Sequence, residues 1–364
     1  MKQTPPALAY LSDALEALRQ QHQLRGRTGP VETTSFCSND YLGLASGGAG
    51  GGASRLLGGE HAEHASLERL LATWLEVPQV LLFSSGYAAN VGALSCLVGK
   101  DDWVVSDALN HASLIDGVRL SGARVAVVPH LDIGAVEAAL DRRDGRRAWV
   151  VTEAYFSMDA DSPDLARLRH ICDDHGAGLI VDEAHAFGVL GPNGRGVCAS
   201  AGITPDVSIG TLGKAFGGAG AFVAGCDVLI AWLWNRARSH VFSTAMSPLL
   251  VAAVRKNVER AITDPLLRER AATHGARFRE AVQGRGADVR GYGPIVPWVV
   301  GTEASALRAA DEMQRRHVYV MAVRPPTVPD GTSRIRFAFN ARHTAEDVDR
   351  AIDATVATLS CLHL

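Results

Sequence analysis

Apolar residues recur at helical spacing near the amino terminus, where Leu8, Leu11, Leu15 and Leu18 predict an amphipathic helix over residues 7–19. A different rhythm sets in at His64. A helical pattern over 64–74 leads into an unbroken apolar run at 80–83, and similar runs return at 103–105, 124–128, 148–152, 178–181, 207–210 and 221–224. Helical segments, among them 133–140 and 164–175, separate most of them. Continuous apolar strands interleaved with helices predict a mostly parallel sheet covered on both faces. From Pro248 to about Gln283 the pattern is helical throughout. Strands are then predicted at 295–300, 318–323 and 334–339, and helices near 304–316 and 345–359, which together make a second, α+β unit. The fold class is therefore α/β. The expected division is an N-terminal helix and arm (1–44), a large domain (45–245) and a small C-terminal domain (246–364). Two stretches stand outside this rhythm. A short strand signal at 34–37 runs into Ser38-Asn-Asp-Tyr-Leu-Gly-Leu44, and residues 46–59 hold too much glycine for regular helix or strand. Composition reads the glycine-rich stretch as a flexible linker. No internal repeat is present.

Composition narrows the class of protein. A chain of 364 residues, 47% hydrophobic and 21% charged, has enough apolar material for a sizeable core and exceeds one ordinary domain. Its net charge of -3 gives it no general attraction to nucleic acid or to acidic membrane surfaces. The six cysteines are scattered without a C-x-x-C pair, so they read as reduced core residues of a cytoplasmic protein, with neither a disulfide framework nor a metal site. The amino terminus lacks the apolar core of a signal peptide, and no run is long enough to span a membrane.

The candidate chemistry collects where strands end. Lysine is scarce, with Lys2, Lys100, Lys214 and Lys256 the only four. Lys214 alone lies among glycine and apolar residues, in Thr211-Leu-Gly-Lys-Ala-Phe-Gly217. Desolvation there would lower its pKa and leave the amine ready to attack a carbonyl, which is what a Schiff-base lysine needs. The run 178–181 ends in Asp182-Glu-Ala-His185, which puts a carboxylate and an imidazole at the carboxyl end of a strand, where doubly wound sheets bind ligands. The run 80–83 ends in Ser84-Ser-Gly-Tyr-Ala-Ala-Asn90, a glycine turn that opens a helix and offers N–H groups to a phosphate. The sequence Asp-Glu-Ala-His also matches a helicase-type ATPase box, but that reading needs a G-x-x-x-x-G-K-[ST] loop. Neither Gly-Lys pair is followed by serine or threonine, and the ATPase is excluded. His61 and His64 have the spacing of a metal pair without a third ligand nearby, so they read as a polar helix start. His111, in Leu109-Asn-His-Ala-Ser113, reads by itself as structural. Arg334 and Arg336 share one face of a strand, as a solvated edge or as a guanidinium fork for a carboxylate.

Taken in order, the segments 38–44, 83–90, 110–114, 153–161, 181–188, 194–196 and 211–217 resemble the α-oxoamine synthases, pyridoxal-phosphate enzymes of the type I aminotransferase fold. The likeness covers nearly the whole chain. The segment Arg324-Pro-Pro-Thr-Val-Pro-Asp-Gly-Thr332, followed by Arg334-Ile-Arg336, is similar to the branch that joins alanine to a pimeloyl thioester on the way to biotin. The resemblance implies that Lys214 carries pyridoxal 5'-phosphate and that Asp182 holds its pyridinium nitrogen. It implies that His185 contacts the ring oxygen, that His111 stacks on the ring and that Ser157 lies beside it. The phosphate would be held by Ser85, the Gly86 and Tyr87 backbone and Thr211, with Thr244 reaching across a dimer interface. Asn39 and Arg336 would meet the amino acid, Thr327 would line the acyl channel, and Arg25 matches loosely an arginine for the far carboxylate of the acyl chain. Implied partners are L-alanine, pimeloyl-CoA or a pimeloyl carrier protein, and a second copy of the chain. Between Leu44 and residues 48–55 the family carries about one helix more than this sequence does, a difference at the entry to the acyl channel. Two alternatives stand beside this reading: an α-oxoamine synthase for another amino acid or acyl group, and a catalytically silent fold-relative that acts as a binding partner.

Overall fold

The structure is a computed structural model that describes residues 4–27 and 48–362. Its residues group into two compact units, 1–154 with 162–263 and 155–161 with 264–364. Each is taken by itself.

The first unit begins with helix α1 (Tyr10–Gln20), preceded by a single 3-10 turn, Pro6–Leu8. Leu8, Leu11 and Leu18 are buried, as their spacing predicts. The glycine-rich stretch, as far as it is described, departs from the linker reading. It forms a 3-10 turn at Arg55–Leu57, Ala53, Ser54 and Arg55 are buried, and Ser54 pairs with Thr244. Helix α2 (Ala62–Leu75) is capped by His61 and His64 in a reciprocal box. The strands are β1 (Gln79–Phe83), β2 (Trp103–Asp107), β3 (Arg124–Val128), β4 (Ala148–Glu153), β5 (Gly178–Asp182), β6 (Val207–Thr211) and β7 (Ala221–Gly225). Among the described residues they form one seven-stranded sheet in the order β1-β7-β6-β5-β4-β2-β3. Only β7 runs against its neighbours, so β1 points the same way as the five parallel strands.

Helices follow the strands: α3 (Gly86–Leu97), α4 (Ala112–Ser121), α5 (Ile133–Asp141), α6 (Leu165–Asp174), α7 (Gly196–Ser200), α8 (Asp227–Arg236), α9 (Arg238–Val241) and α10 (Pro248–Thr263). Both sheet faces are covered. Phe83, Val104, Val151, Ile180 and Ile209 pack toward α3, α4 and α8. Their alternates Leu82, Val105, Val150 and Leu179 pack toward α2, α5, α6 and α10. Burial on two faces is why the strands read as unbroken apolar runs.

The second unit holds α11 (Leu266–Gln283), β8 (Ile295–Gly301), α12 (Glu303–Arg315), β9 (Ala322–Val323), β10 (Ser333–Ala338) and α13 (Ala345–Leu362). Its antiparallel sheet has the order β8-β10-β9, over a core in which the Phe278 ring lies 4.4 Å from Phe337 and 5.1 Å from Phe339. Two expectations are corrected. The helical stretch from Pro248 to Gln283 is two helices, because Pro265 has no N–H and forces Asp264 out of helical geometry. The strand predicted at 318–323 pairs with β10 over Ala322 and Val323 only. Val318, Val320 and Ala322 do pack on the core while Tyr319 and Met321 are exposed, so the alternation reported burial and not a ladder.

Candidate active site

Strands β1, β2, β4, β5 and β6 all end at one edge of the sheet, and the polar residues of the first unit gather there. Past β1, Ser85 caps α3 by accepting from the Ala88 N–H at 3.1 Å. The N–H groups of the first turn, from Gly86 and Tyr87 onward, are therefore open to an anion. Gly86 adjoins the end of β6: a Cβ placed on it would lie 3.8 Å from the Thr211 hydroxyl oxygen. That hydroxyl donates to the Gly220 carbonyl and accepts from the Gly213 N–H, both at 3.3 Å. Tyr87 is half-exposed, and its hydroxyl donates to Asp116.

A chain of hydrogen bonds joins the next residues along the edge. Asp182, at the end of β5, is buried and accepts from Asn90 Nδ2 at 2.7 Å and from the Ala184 N–H at 2.8 Å. Asn90 Nδ2 also donates to Ser113 Oγ at 2.8 Å. Ser113 lies in turn beside His111, its Oγ 2.7 Å and its backbone nitrogen 3.2 Å from His111 Nδ1. The His111 N–H donates to Glu153 Oε1 at 2.7 Å, and Glu153 is the β4 residue in register with Asp182. The circuit fixes the backbone of His111 while its ring remains exposed. Burial, with the Asp182 charge adding to it, pushes the Glu153 carboxyl up to about 8, against the His111 N–H and the Lys214 ammonium. Glu153 thus holds a proton at neutral pH.

Lys214 lies on the turn between β6 and β7, and His185 on the turn after β5, half-buried. The desolvation expected for Lys214 is corrected: the side chain is exposed, because Gly213, Ala215 and Gly217 are too small to cover it. Thr244 is exposed as well. The Arg25 backbone N–H donates to Asn235 Oδ1 at 2.6 Å, and its guanidinium donates to the Asn235 carbonyl at 3.0 Å. Asn39 lies outside the described residues, as does the whole segment 38–44.

In the second unit, the fork of Arg334 and Arg336 is corrected in both of its readings. The strand is central, not an edge, and Arg334 is 1% exposed. Arg334 donates to Asp159 Oδ1 at 2.5 Å, to the Met158 and Thr332 carbonyls at 3.0 Å each and to the Thr332 hydroxyl at 3.1 Å. This guanidinium is structural. Arg336 is half-buried, and its Nε donates to the Ser157 carbonyl at 2.6 Å. Thr327 is exposed.

Sequence reasoning passed over three members of the circuit, Asn90, Ser113 and Glu153, although all stood in motifs it quoted. The signal for Asn90 was available: it is the one amide side chain in the apolar helix Gly86–Leu97, and a buried amide needs a polar partner. Glu153, at the end of a fully buried strand, carried the same signal.

An anion-binding helix start, a buried carboxylate, an exposed imidazole and a primary amine at one sheet edge suit a ligand with a phosphate, a basic ring nitrogen and an aldehyde. Residues 32–354 match the model of the class I and II aminotransferases, and the chain belongs to that family. Within it, the chain is 45% identical over 382 residues to the 8-amino-7-oxononanoate synthase of Anaeromyxobacter dehalogenans, covering 97% of this chain and 96% of the relative. Among solved structures, a serine palmitoyltransferase with pyridoxal phosphate superposes with a TM-score of 0.84 at 26% identity, over 96% of this chain and 98% of that one. The 8-amino-7-oxononanoate synthase of Francisella tularensis gives 0.75 at 27% identity, over 92% and 99%. Pyridoxal 5'-phosphate is the cofactor of these enzymes, and the residues present fit it.

Proposed function

We propose that this chain catalyses the decarboxylative condensation of L-alanine with a pimeloyl thioester, giving 8-amino-7-oxononanoate, carbon dioxide and the free thiol, a step of biotin synthesis. The observation that carries the substrate choice is the near full-length identity with relatives of that name. The sheet edge supports the cofactor chemistry. In the proposed roles, Lys214 Nζ would hold the cofactor and would be the base that takes the α-proton of the amino acid. Asp182 holds the ring nitrogen protonated, with Asn90 fixing the carboxylate. When bound, the cofactor supplies an electron sink for the charge left at the α-carbon. His111 covers one face of the ring, His185 bonds its oxygen and Ser157 lies beside it. Ser85, the Gly86 and Tyr87 N–H groups and Thr211 hold the phosphate, joined by Thr244 from a second copy in a homodimer. Arg336 takes the substrate carboxylate and Asn39 its amino-acid end. Thr327 borders the acyl channel, and Arg25 receives the distal carboxylate. The thioester carrier is coenzyme A or an acyl carrier protein, and the enzyme works in the cytoplasm.

Mass spectrometry of products from alanine, glycine and serine, each against pimeloyl-CoA and shorter and longer thioesters, tests the reading. The expected result is 8-amino-7-oxononanoate from alanine with the seven-carbon diacid thioester at the highest kcat/KM. The structural likeness to serine palmitoyltransferase supports a second reading, a synthase that takes serine and a long acyl chain. A preference for those substrates would replace the first reading with the second.

A further inference from the structure

His64 is wholly buried at the start of α2, and the proposed reaction does not use it. Its Nδ1 accepts from the His61 N–H at 3.0 Å. With that nitrogen taken as an acceptor, the proton of the neutral ring sits on Nε2, which donates to the Met246 carbonyl at 2.8 Å. Burial, and then the Arg55 guanidinium, push the ring below the usual histidine range and keep it neutral.

Met246 is two residues beyond Thr244, and the segment between them is gripped along its length. Thr244 pairs with Ser54, and the Ala245 N–H donates to the Ala53 carbonyl at 3.0 Å. Gly220 presses on the other end, where a Cβ would come within 2.4 Å of the Met246 methyl. Arg55, the residue after Ser54, is itself fixed by Glu60 at 2.5 Å and by Glu68 at 2.5 Å. Glu68 in turn accepts from the Leu82 N–H of β1 at 2.9 Å, two residues ahead of the Ser84-Ser85-Gly86 turn. The same buried cluster therefore bonds to the strand that leads into the phosphate turn and to the segment that carries Thr244.

We propose that His64 is a positioning residue that sets Thr244 through the Met246 carbonyl, so that one cluster registers the chain's own phosphate turn and the threonine it offers to a second copy. The inference rests on the reading that Thr244 reaches the phosphate. The test compares the affinity of the cofactor-stripped, full-length protein for pyridoxal 5'-phosphate and for pyridoxal, which lacks the phosphate. His64→Asn keeps an acceptor near Nδ1 for the His61 N–H but is too short to reach Met246, whereas His64→Gln carries an amide nitrogen near Nε2. Loss of one hydrogen bond should weaken pyridoxal 5'-phosphate binding about fivefold in His64→Asn and in Thr244→Ala. Pyridoxal binding should stay unchanged, the double variant should be no weaker than Thr244→Ala, and His64→Gln should recover the affinity. Because each variant is compared with itself on the two ligands, a general loosening of the fold cancels. Equal loss for both ligands in His64→Asn, or additive losses in the double variant, overturns the positioning role. A silent His64→Asn beside an effective Thr244→Ala removes it and leaves the reading of Thr244 standing; a silent Thr244→Ala removes both.

Discussion

Two residues apart on β10, Arg334 and Arg336 differ in what holds their guanidinium groups. Arg334 is itself buried, with a partly buried carboxylate, two carbonyls and a hydroxyl around it, so Arg334→Ala leaves Asp159 without its partner and should cost about 3 kcal/mol of stability in urea melts. Arg336 is half-buried and donates from its Nε to the Ser157 carbonyl. Arg336→Ala should leave the melt within about 1 kcal/mol and raise the KM for alanine at least tenfold, the effect of losing a charge-assisted bond. Lys214 offers a second test at this scale. Borohydride treatment of the holoenzyme should fix the cofactor on the peptide that contains Lys214, and Lys214→Ala should abolish both the labelling and the turnover. Glu153 offers a third. A folded pKa raised from the ordinary carboxylate value to about 8 means the folded protein keeps a proton that the unfolded chain gives up. Its contribution is complete below the ordinary pKa of about 4.5, declines as pH rises and is lost by about pH 8. Glu153→Gln still accepts from the His111 N–H and cannot ionise. The melting temperature of the wild type should therefore fall between pH 5 and pH 9 by more than that of the variant; parallel curves would contradict the assignment.

At the scale of elements, the turn that follows β5 is pinned from beneath. Glu183 is buried, its N–H donates to the Ile209 carbonyl of β6 at 2.8 Å, and its carboxylate accepts from the Val197 and Cys198 N–H groups at 2.8 and 3.0 Å. Burial pushes this carboxyl up to about 7 despite those donors. Gly196 lies against it at φ +87, and a Cβ there would come 2.3 Å from Oε2. Gly196→Ala should destabilise by at least about 2 kcal/mol from backbone strain and contact together, measured by thermal melting. It should also loosen the turn that carries Asp182 and His185. This clamp was not legible in the sequence, where Gly194-Arg-Gly196 was one motif and Asp182-Glu-Ala-His185 another, and only the fold brings them together. The strands were legible because burial on both faces leaves an unbroken apolar run. The glycine-rich stretch was misread because composition reports chain freedom, whereas Ala53 and Ser54 pair with Ala245 and Thr244 far along the chain and Arg55 is clamped by Glu60 and Glu68. The exposure of Lys214 was hidden for a related reason: small apolar neighbours mark a tight turn without covering a long side chain.

On the whole-molecule scale, one sheet edge supplies an anion site, an acid pair, an imidazole and an amine, all from the first unit. The arginine assigned to the substrate belongs to the second. Among the described residues no helix is long and apolar enough to cross a membrane. The reaction proposed for this arrangement makes one carbon–carbon bond, breaks the bond from the α-carbon to the alanine carboxyl and breaks the carbon–sulfur bond of the thioester. The last two events release products that can be counted. Alanine carrying 13C in its carboxyl group, mixed with the holoenzyme and pimeloyl-CoA, should release one labelled carbon dioxide for every thiol set free, with unlabelled 8-amino-7-oxononanoate as the product. Label retained in the product, or thiol released without carbon dioxide, would contradict the account.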